Sequence, residues 1–143
     1  MDNLHFIGRV KCGGSLGQNG IYNEYYITPK AEIYRIRTHK PDVLIPTKTY
    51  PISRSKRNPI GYLAISTNHL PEKYLHRIMA KMFVHNDDPE NKTDVDHRDG
   101  NKHNNQISNL EWVTKSENQR RMHARLRAEG IVWTGRRKRN KVD

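Results

Sequence analysis

Cysteine is almost absent from the 143-residue chain: Cys12 is the only one. A single thiol excludes an intrachain disulfide framework and any zinc site built from several cysteines. It also predicts a reducing setting. Long apolar runs are missing as well. Only 34% of residues are hydrophobic, and no stretch approaches the ~18 apolar residues of a spanning helix. Met1-Asp2-Asn3 does not open a signal peptide. The expectation is a soluble cytoplasmic protein that uses no membrane. Acids are scarce: 15 Asp and Glu face 26 Lys and Arg, a formal charge of +11 and a pI near 10.0. Such an excess points to a polyanionic partner. The length predicts one compact domain with room for a small appendage.

The charge is unevenly placed. Residues 120–143 hold nine Lys or Arg against two acids. The stretch Asp87 to Asp99 runs the other way, with Asp87, Asp88, Glu90, Asp94, Asp96 and Asp99 against Lys92 and Arg98. Composition leaves two readings open for it. One is a solvated loop; the other is a divalent-cation site, in which carboxylate oxygens hold a hard cation that bridges to phosphate.

The first 66 residues look β-rich and contain no internal repeat. His5 to Val10 is a strand candidate, and Cys12 to Gly20 reads as a glycine-rich turn. That turn is not a Walker phosphate loop, because no Gly-Lys-Ser/Thr follows it. Ile21 to Thr28 and Glu32 to Arg37 suggest a strand pair around Pro29, and Gly61 to Ser66 another strand. Ser53 to Asn58 is a basic loop. Between Glu72 and Val84 the period changes. Leu75, Ile78, Met79, Met82 and Phe83 fall at i, i+3, i+4, i+7 and i+8, a helical stripe that reads as core. His76 and Arg77 lie just off it, and His76 reads as a packing or capping histidine before a ligand. Asp94 to His97 and Leu110 to Val113 are short strands around the turn-rich Arg98 to Ser108. Thr114-Lys115-Ser116-Glu117 fits a capping box, so a helix starts there and runs to about Ala128, with Gly130 as a stop signal.

The chemistry concentrates after the acidic stretch. Asp96-His97 ends one strand, Asn109 lies 12 residues after His97, and Asn118 lies 9 further on, one turn into the helix. A helix packed across a strand pair can bring Asn118 to Asp96. Their oxygens then form a two-ligand site with positions left for water and phosphate, which suits magnesium or manganese better than zinc. His97 has the neutral-pH basicity to take a proton from water. An EF-hand reading of Asp94, Asp96, Asp99 and Gly100 fails on spacing. Its third ligand and glycine fall one position late, and its twelfth position is Asn105 in place of Glu.

Residues 95–119, VDHRDGNKHNNQISNLEWVTKSENQ, resemble the HNH nuclease motif in the Asp-His…Asn…Asn form of phage-encoded HNH homing endonucleases. The run Tyr74 to Phe83 resembles the helix that precedes the motif in the same proteins. The resemblance implies an α+β protein: a ββα-metal (HNH) nuclease core at 71–129, a β-rich N-terminal DNA-binding region at 1–70 and a basic tail at 130–143. It implies hydrolysis of DNA phosphodiesters to 5′-phosphate and 3′-hydroxyl ends. His97 would be the general base. Asp96 and Asn118 would hold one divalent ion, magnesium or else manganese, against the scissile phosphate. Asn109 would tie the loop to the strands and keep His97 aimed. The last motif position is Asn, not His, which favours magnesium over a transition metal. No other cofactor is implied, and the expected form is a monomer in the host cytoplasm. Homing is the role suggested by analogy, beside restriction and DNA packaging. A catalytically dead HNH domain retained as a DNA-binding module is the competing class.

Three groups of cations are candidates for contacting double-stranded DNA: Arg54, Lys56 and Arg57; Arg120, Arg121, Arg125 and Arg127; and Arg136, Arg137, Lys138, Arg139 and Lys141. Phosphate contacts of this kind set affinity without reading sequence. The last group also fits a nuclear localisation signal. Trp133 is expected to anchor it on the core. Removing residues 135–143 deletes five cations outside the motif. The slope of log K against log salt should fall by roughly 2 to 3 units, since a mobile tail uses only some of its charges at about 0.9 per contact. Affinity should drop alike on all DNA sequences while cleavage at saturating protein is kept. An unchanged slope in a salt titration would assign the tail to localisation.

Overall fold

The computed structural model describes residues 3–52, 61–66 and 70–130. Arg54, Lys56, Arg57, Trp133 and the basic tail from Arg136 lie outside the described residues, whereas the strand candidate 61–66 lies within them.

Four antiparallel strands form the N-terminal sheet in sequential order: β1 (His5–Lys11), β2 (Tyr22–Ile27), β3 (Ile33–Arg37) and β4 (Lys40–Thr47). The pairing of Ile27 with both His5 and Ile33 sets the register. The expected strand pair around Pro29 is therefore present as β2 and β3. The expected turn at Cys12 to Gly20 instead carries a short helix, α1 (Gly14–Gln18). It is tucked under the strand ends so closely that a Cβ at Gly17 would collide with the Cys12 carbonyl oxygen. Strand β4 escapes the sequence signals because Pro41 and Pro46 interrupt it. It sits at the sheet edge, where a missing N–H is tolerated. Strands β5 (Thr49–Ile52) and β6 (Tyr62–Ile65) make a separate two-stranded sheet, where Pro51 is tolerated for the same reason.

Helix α2 (Leu75–Phe83) follows, then β7 (Asp94–His97), a single 3₁₀ turn at Ile107–Asn109, β8 (Leu110–Val113) and α3 (Lys115–Ala128). The order from 94 to 128 is strand, strand, helix. Strands β7 and β8 are antiparallel, with His97 opposite Leu110 and Asp96 opposite Glu111. The start of α3 behaves as its sequence predicts: Thr114 Oγ1 accepts from the Glu117 N–H at 3.1 Å. The reciprocal half of the capping box is not made, because the Glu117 carboxylate takes Arg120 and Arg121. Gly130 ends the helix at φ +77°, a left-handed conformation that suits glycine.

One hydrophobic cluster joins these parts. It contains Val10, Tyr25, Ile27 and Ile33 of the large sheet, Ile65 of β6, Leu75, Ile78 and Met79 of α2, and Val95 and Leu110 of the last strand pair. Packing thus continues across residue 70. Helix α2 touches β6 on one side and β7 and β8 on another, so it buries a broader face than a single stripe. His76 and Ala80 are inside, whereas Met82 is exposed. Helix α3 is the opposite case, with no buried residue at all. Met79 is fully buried at the centre of the cluster. Met79→Ala should therefore lose roughly 2–5 kcal/mol, read as a lower midpoint in urea unfolding. A loss below about 1 kcal/mol would mean that the cluster is not the common core.

Candidate active site

Alternation along β7 decides which side chain faces which element. Asp94 and Asp96 share the face crossed by α3, and each meets a different turn of that helix. Asn118 Nδ2 donates to Asp94 Oδ2 at 3.1 Å. Arg121 Nη1 donates to Asp96 Oδ2 at 3.0 Å, and Arg125 donates to both Asp96 oxygens at 2.9 and 3.0 Å. Arg125 also caps the His97 carbonyl at 2.9 Å. Helix α3 runs alongside β7 with Asn118, Arg121 and Arg125 on one face, and these polar contacts take the place of an apolar stripe. Asn118, expected beside Asp96, is hydrogen-bonded to Asp94. The Asp96 oxygens are bound by guanidinium groups.

Asp96 is only 4% exposed. Burial raises its pKa, and the two arginines more than offset this, so the carboxyl is held below the usual carboxylate range. Arg121 is shared further, at 2.6 Å from Glu111 Oε2 and 3.0 Å from Glu117 Oε1.

His97 faces the other way, into a pocket of buried polar and aromatic groups. It is 4% exposed. Its Nε2 lies 2.8 Å from Asn105 Oδ1. An amide oxygen only accepts, so Nε2 carries the proton and Nδ1 is the basic nitrogen. Burial, the largest influence, pushes the His97 pKa down despite the Asn105 bond and the nearby carboxylates. Neutral imidazole, the form able to accept a proton, is thereby favoured. The Tyr62 ring is stacked at 6.0 Å and the His76 ring is tilted at 5.1 Å between centroids.

Asn109 organises the loop that follows. Its Nδ2 donates to Asp99 Oδ1 at 3.0 Å and to the Asn104 carbonyl at 2.8 Å, while its Oδ1 accepts from the Asp99 N–H at 3.1 Å. The Asn109 carbonyl accepts from the Arg98 N–H at 2.8 Å. Gly100 turns the chain at φ +75° with Arg125 beside it, 3.3 Å from where a Cβ would stand. The loop between β7 and β8 is thus cross-braced from Arg98 to Asn109, and Asn105, on that loop, is delivered to His97.

Residues 73–120 match the HNH endonuclease family model. This segment belongs to the HNH endonuclease family. An uncharacterised HNH endonuclease of Acanthamoeba polyphaga mimivirus, L245, is 35% identical over 127 residues, which cover 77% of this chain and 34% of that protein. A second from the same virus, L247, is 55% identical over 47 residues, covering 33% of this chain and 12% of that protein. The chain therefore spans about a third of the length of one curated relative and far less of the other. A solved structure of the HNH homing endonuclease I-HmuI, described as binding and cleaving DNA, superposes with a TM-score of 0.48 at 26% identity. It covers 76% of this chain and 55% of that one.

Several site residues went unread in the sequence. In the sequence Asn105 reads as a turn former and Arg125 as a DNA-contacting cation, not as partners of His97 and Asp96, and Tyr62 lies outside the HNH segment. Arg35 and Arg37 were likewise passed over. Their Nε atoms are buried without a hydrogen-bond partner, as is Asn23 Oδ1, and Asn23 pairs with Arg37 across β2 and β3. Among the described cation candidates, Arg120 is bound to Glu117 and Arg121 to three carboxylates. Among the described residues no three His, Cys, Asp or Glu side chains gather as a metal cage, and no helix is long and apolar enough to cross a membrane.

The depressed Asp96 pKa sets a direction for stability against pH. A carboxyl whose folded pKa lies below its unfolded value contributes its full stability above the unfolded value of about 3.9. That contribution is lost as pH falls through the folded pKa. Asp96→Asn should lower the melting temperature at pH 7 and flatten the melting curve's decline below about pH 4. Parallel acid limbs in the variant and the wild type would show that Asp96 does not carry this linkage.

Proposed function

We propose that the HNH segment hydrolyses DNA phosphodiester bonds, with His97 as the general base. The observation that carries this reading is a buried histidine whose tautomer is set by Asn105, next in sequence to a buried carboxylate, on a strand–strand–helix unit of the HNH family. With Nε2 protonated, Nδ1 takes the proton from the attacking water. Asn109 holds the loop that carries Asn105, so the ring keeps its orientation through the reaction.

The oxygen donors on the α3 side suit a hard cation by their chemistry, while Asn118 is bonded to Asp94 and the Asp96 oxygens to arginine. Asp96 offers carboxylate oxygens and Asn118 an amide oxygen, the chemistry of a magnesium site with manganese as the alternative. A divalent ion held there would supply charge stabilisation at the scissile phosphate, and the proposed products are 5′-phosphate and 3′-hydroxyl ends. Arg121 and Arg125 now bond the Asp96 oxygens; Arg121 also stays tied to Glu111 and Glu117. The partner is double-stranded DNA. A homing role rests on the motif resemblance alone, as do the monomeric state and the phage-type source; the named relatives come from a giant virus.

One observation favours a second reading, a DNA-binding module without catalysis: both oxygens of Asp96 are held by guanidinium groups. Cleavage of supercoiled plasmid separates the two. Magnesium should support cutting, and chelation should stop it without unfolding, because two oxygen ligands contribute little folding energy beside a closed zinc site. His97→Ala should lower the single-turnover rate by about two to four orders of magnitude while the DNA dissociation constant stays unchanged. The wild-type rate should lose its acid side below the ordinary imidazole range, in keeping with the lowered His97 pKa. Absence of cutting with either metal would favour the binding module.

A further inference from the structure

Tyr62 stands on β6, outside the HNH segment of residues 73–120. Even so, its ring is joined to the site on several sides. It stacks on His76 with centroids 4.5 Å apart and planes 24° from parallel. It lies within 21° of parallel to His97 at 6.0 Å. The Lys102 ammonium sits 4.7 Å from its centroid. Next door, His103 Nε2 donates to the Gly61 carbonyl at 3.1 Å, which clamps the start of β6 to the β7–β8 loop. Three rings from three elements therefore meet: Tyr62 from β6, His76 from α2 and His97 from β7.

Hydrogen bonding alone leaves the His97 ring incompletely held. Asn105 fixes one edge, at Nε2, and a single bond at one edge lets the plane rotate about it. Stacked and tilted aromatic neighbours remove that freedom, because offset rings have a preferred orientation. His76 is suited to this task and not to proton transfer. It is buried, and desolvation lowers its pKa to about 3, so it remains neutral while its neighbour gains a proton.

We propose that Tyr62 and His76 form an aromatic shelf that positions the His97 imidazole for base catalysis, with Tyr62 supplied by the N-terminal strands. The HNH segment is then incomplete on its own: its base is aimed by a residue from β6. This inference rests on the nuclease reading above for its kinetic consequence and on ring geometry for its structural one.

The test uses the full chain and two substitutions. Tyr62→Leu keeps apolar volume and removes the ring; Tyr62→Phe keeps the ring and removes the hydroxyl. Tyr62→Leu should lower the single-turnover cleavage rate roughly 10- to 100-fold, the scale of a misaimed catalytic group, with the DNA dissociation constant unchanged. Tyr62→Phe should restore most of the rate. In parallel, the His97 Cε1–H resonance should move when the ring is removed, since the ring current is lost, and return in Tyr62→Phe. Equal loss of rate in both variants would overturn the shelf and assign the role to the phenol hydroxyl. A loss of DNA affinity alone would make Tyr62 a DNA contact. An unmoved His97 resonance in Tyr62→Leu would show that the rings are not stacked in solution. If no form cuts DNA yet the resonance responds as expected, the shelf stands and the nuclease reading falls.

Discussion

The attachment of α3 depends on one buried carboxylate. The helix buries no side chain, so it cannot be held by the hydrophobic effect that fixes α2. Asp96 does this work through three guanidinium hydrogen bonds from Arg121 and Arg125, with Asn118 on Asp94 as a further tie. A buried ion pair is weak evidence for net stability, because desolvation of both charges offsets much of the attraction. It is strong evidence for geometry, since leaving the carboxylate unpaired in that setting costs about 3–5 kcal/mol. The position of α3 is accordingly specified by polar contacts that a competing cation or a phosphate backbone can exchange. A helix seated by apolar packing would offer no such exchange.

The site has two sides with different physics. On the α3 face, charged groups are partly exposed and bonded to one another, an arrangement suited to exchanging partners. On the His97 face, rings and amides are buried. Strand alternation places the two faces back to back at adjacent residues, Asp96 and His97. The cross-braced loop from Arg98 to Asn109 then closes over the strand ends and brings Asn105 to the imidazole. Burial on that side lowers the His97 pKa and the Asn105 bond sets its proton on one nitrogen, so both the charge state and the orientation of the imidazole are properties of the packing.

Packing also explains why the N-terminal strands matter to a site encoded after residue 72. The hydrophobic cluster runs from Val10 and Ile27 through Met79 to Val95 and Leu110. Helix α2 lies at the crossing point, burying aliphatic side chains towards both sheets and His76 towards His97. The large sheet and β6 therefore support the site through packing.

Much of the C-terminal half was legible in the sequence. The period of Leu75, Ile78 and Met79, the turn residues after Asp99 and the Thr114 cap are local signals, because each depends on neighbours within about four residues along the chain. The motif from Asp96 to Asn118 is legible for a different reason, since its residue order and spacing are written along one continuous stretch of chain. Other features belong to tertiary structure alone. Strand β4 was hidden by two prolines whose cost vanishes only at a sheet edge. The pairing of Asn118 with Asp94, the capture of Asp96 by Arg121 and Arg125, and the meeting of Tyr62 with His97 join residues 24 to 35 positions apart. No local propensity encodes such contacts. They follow from which face of β7 turns towards α3 and which towards α2, and that choice is made when the core closes around Val95 and Leu110.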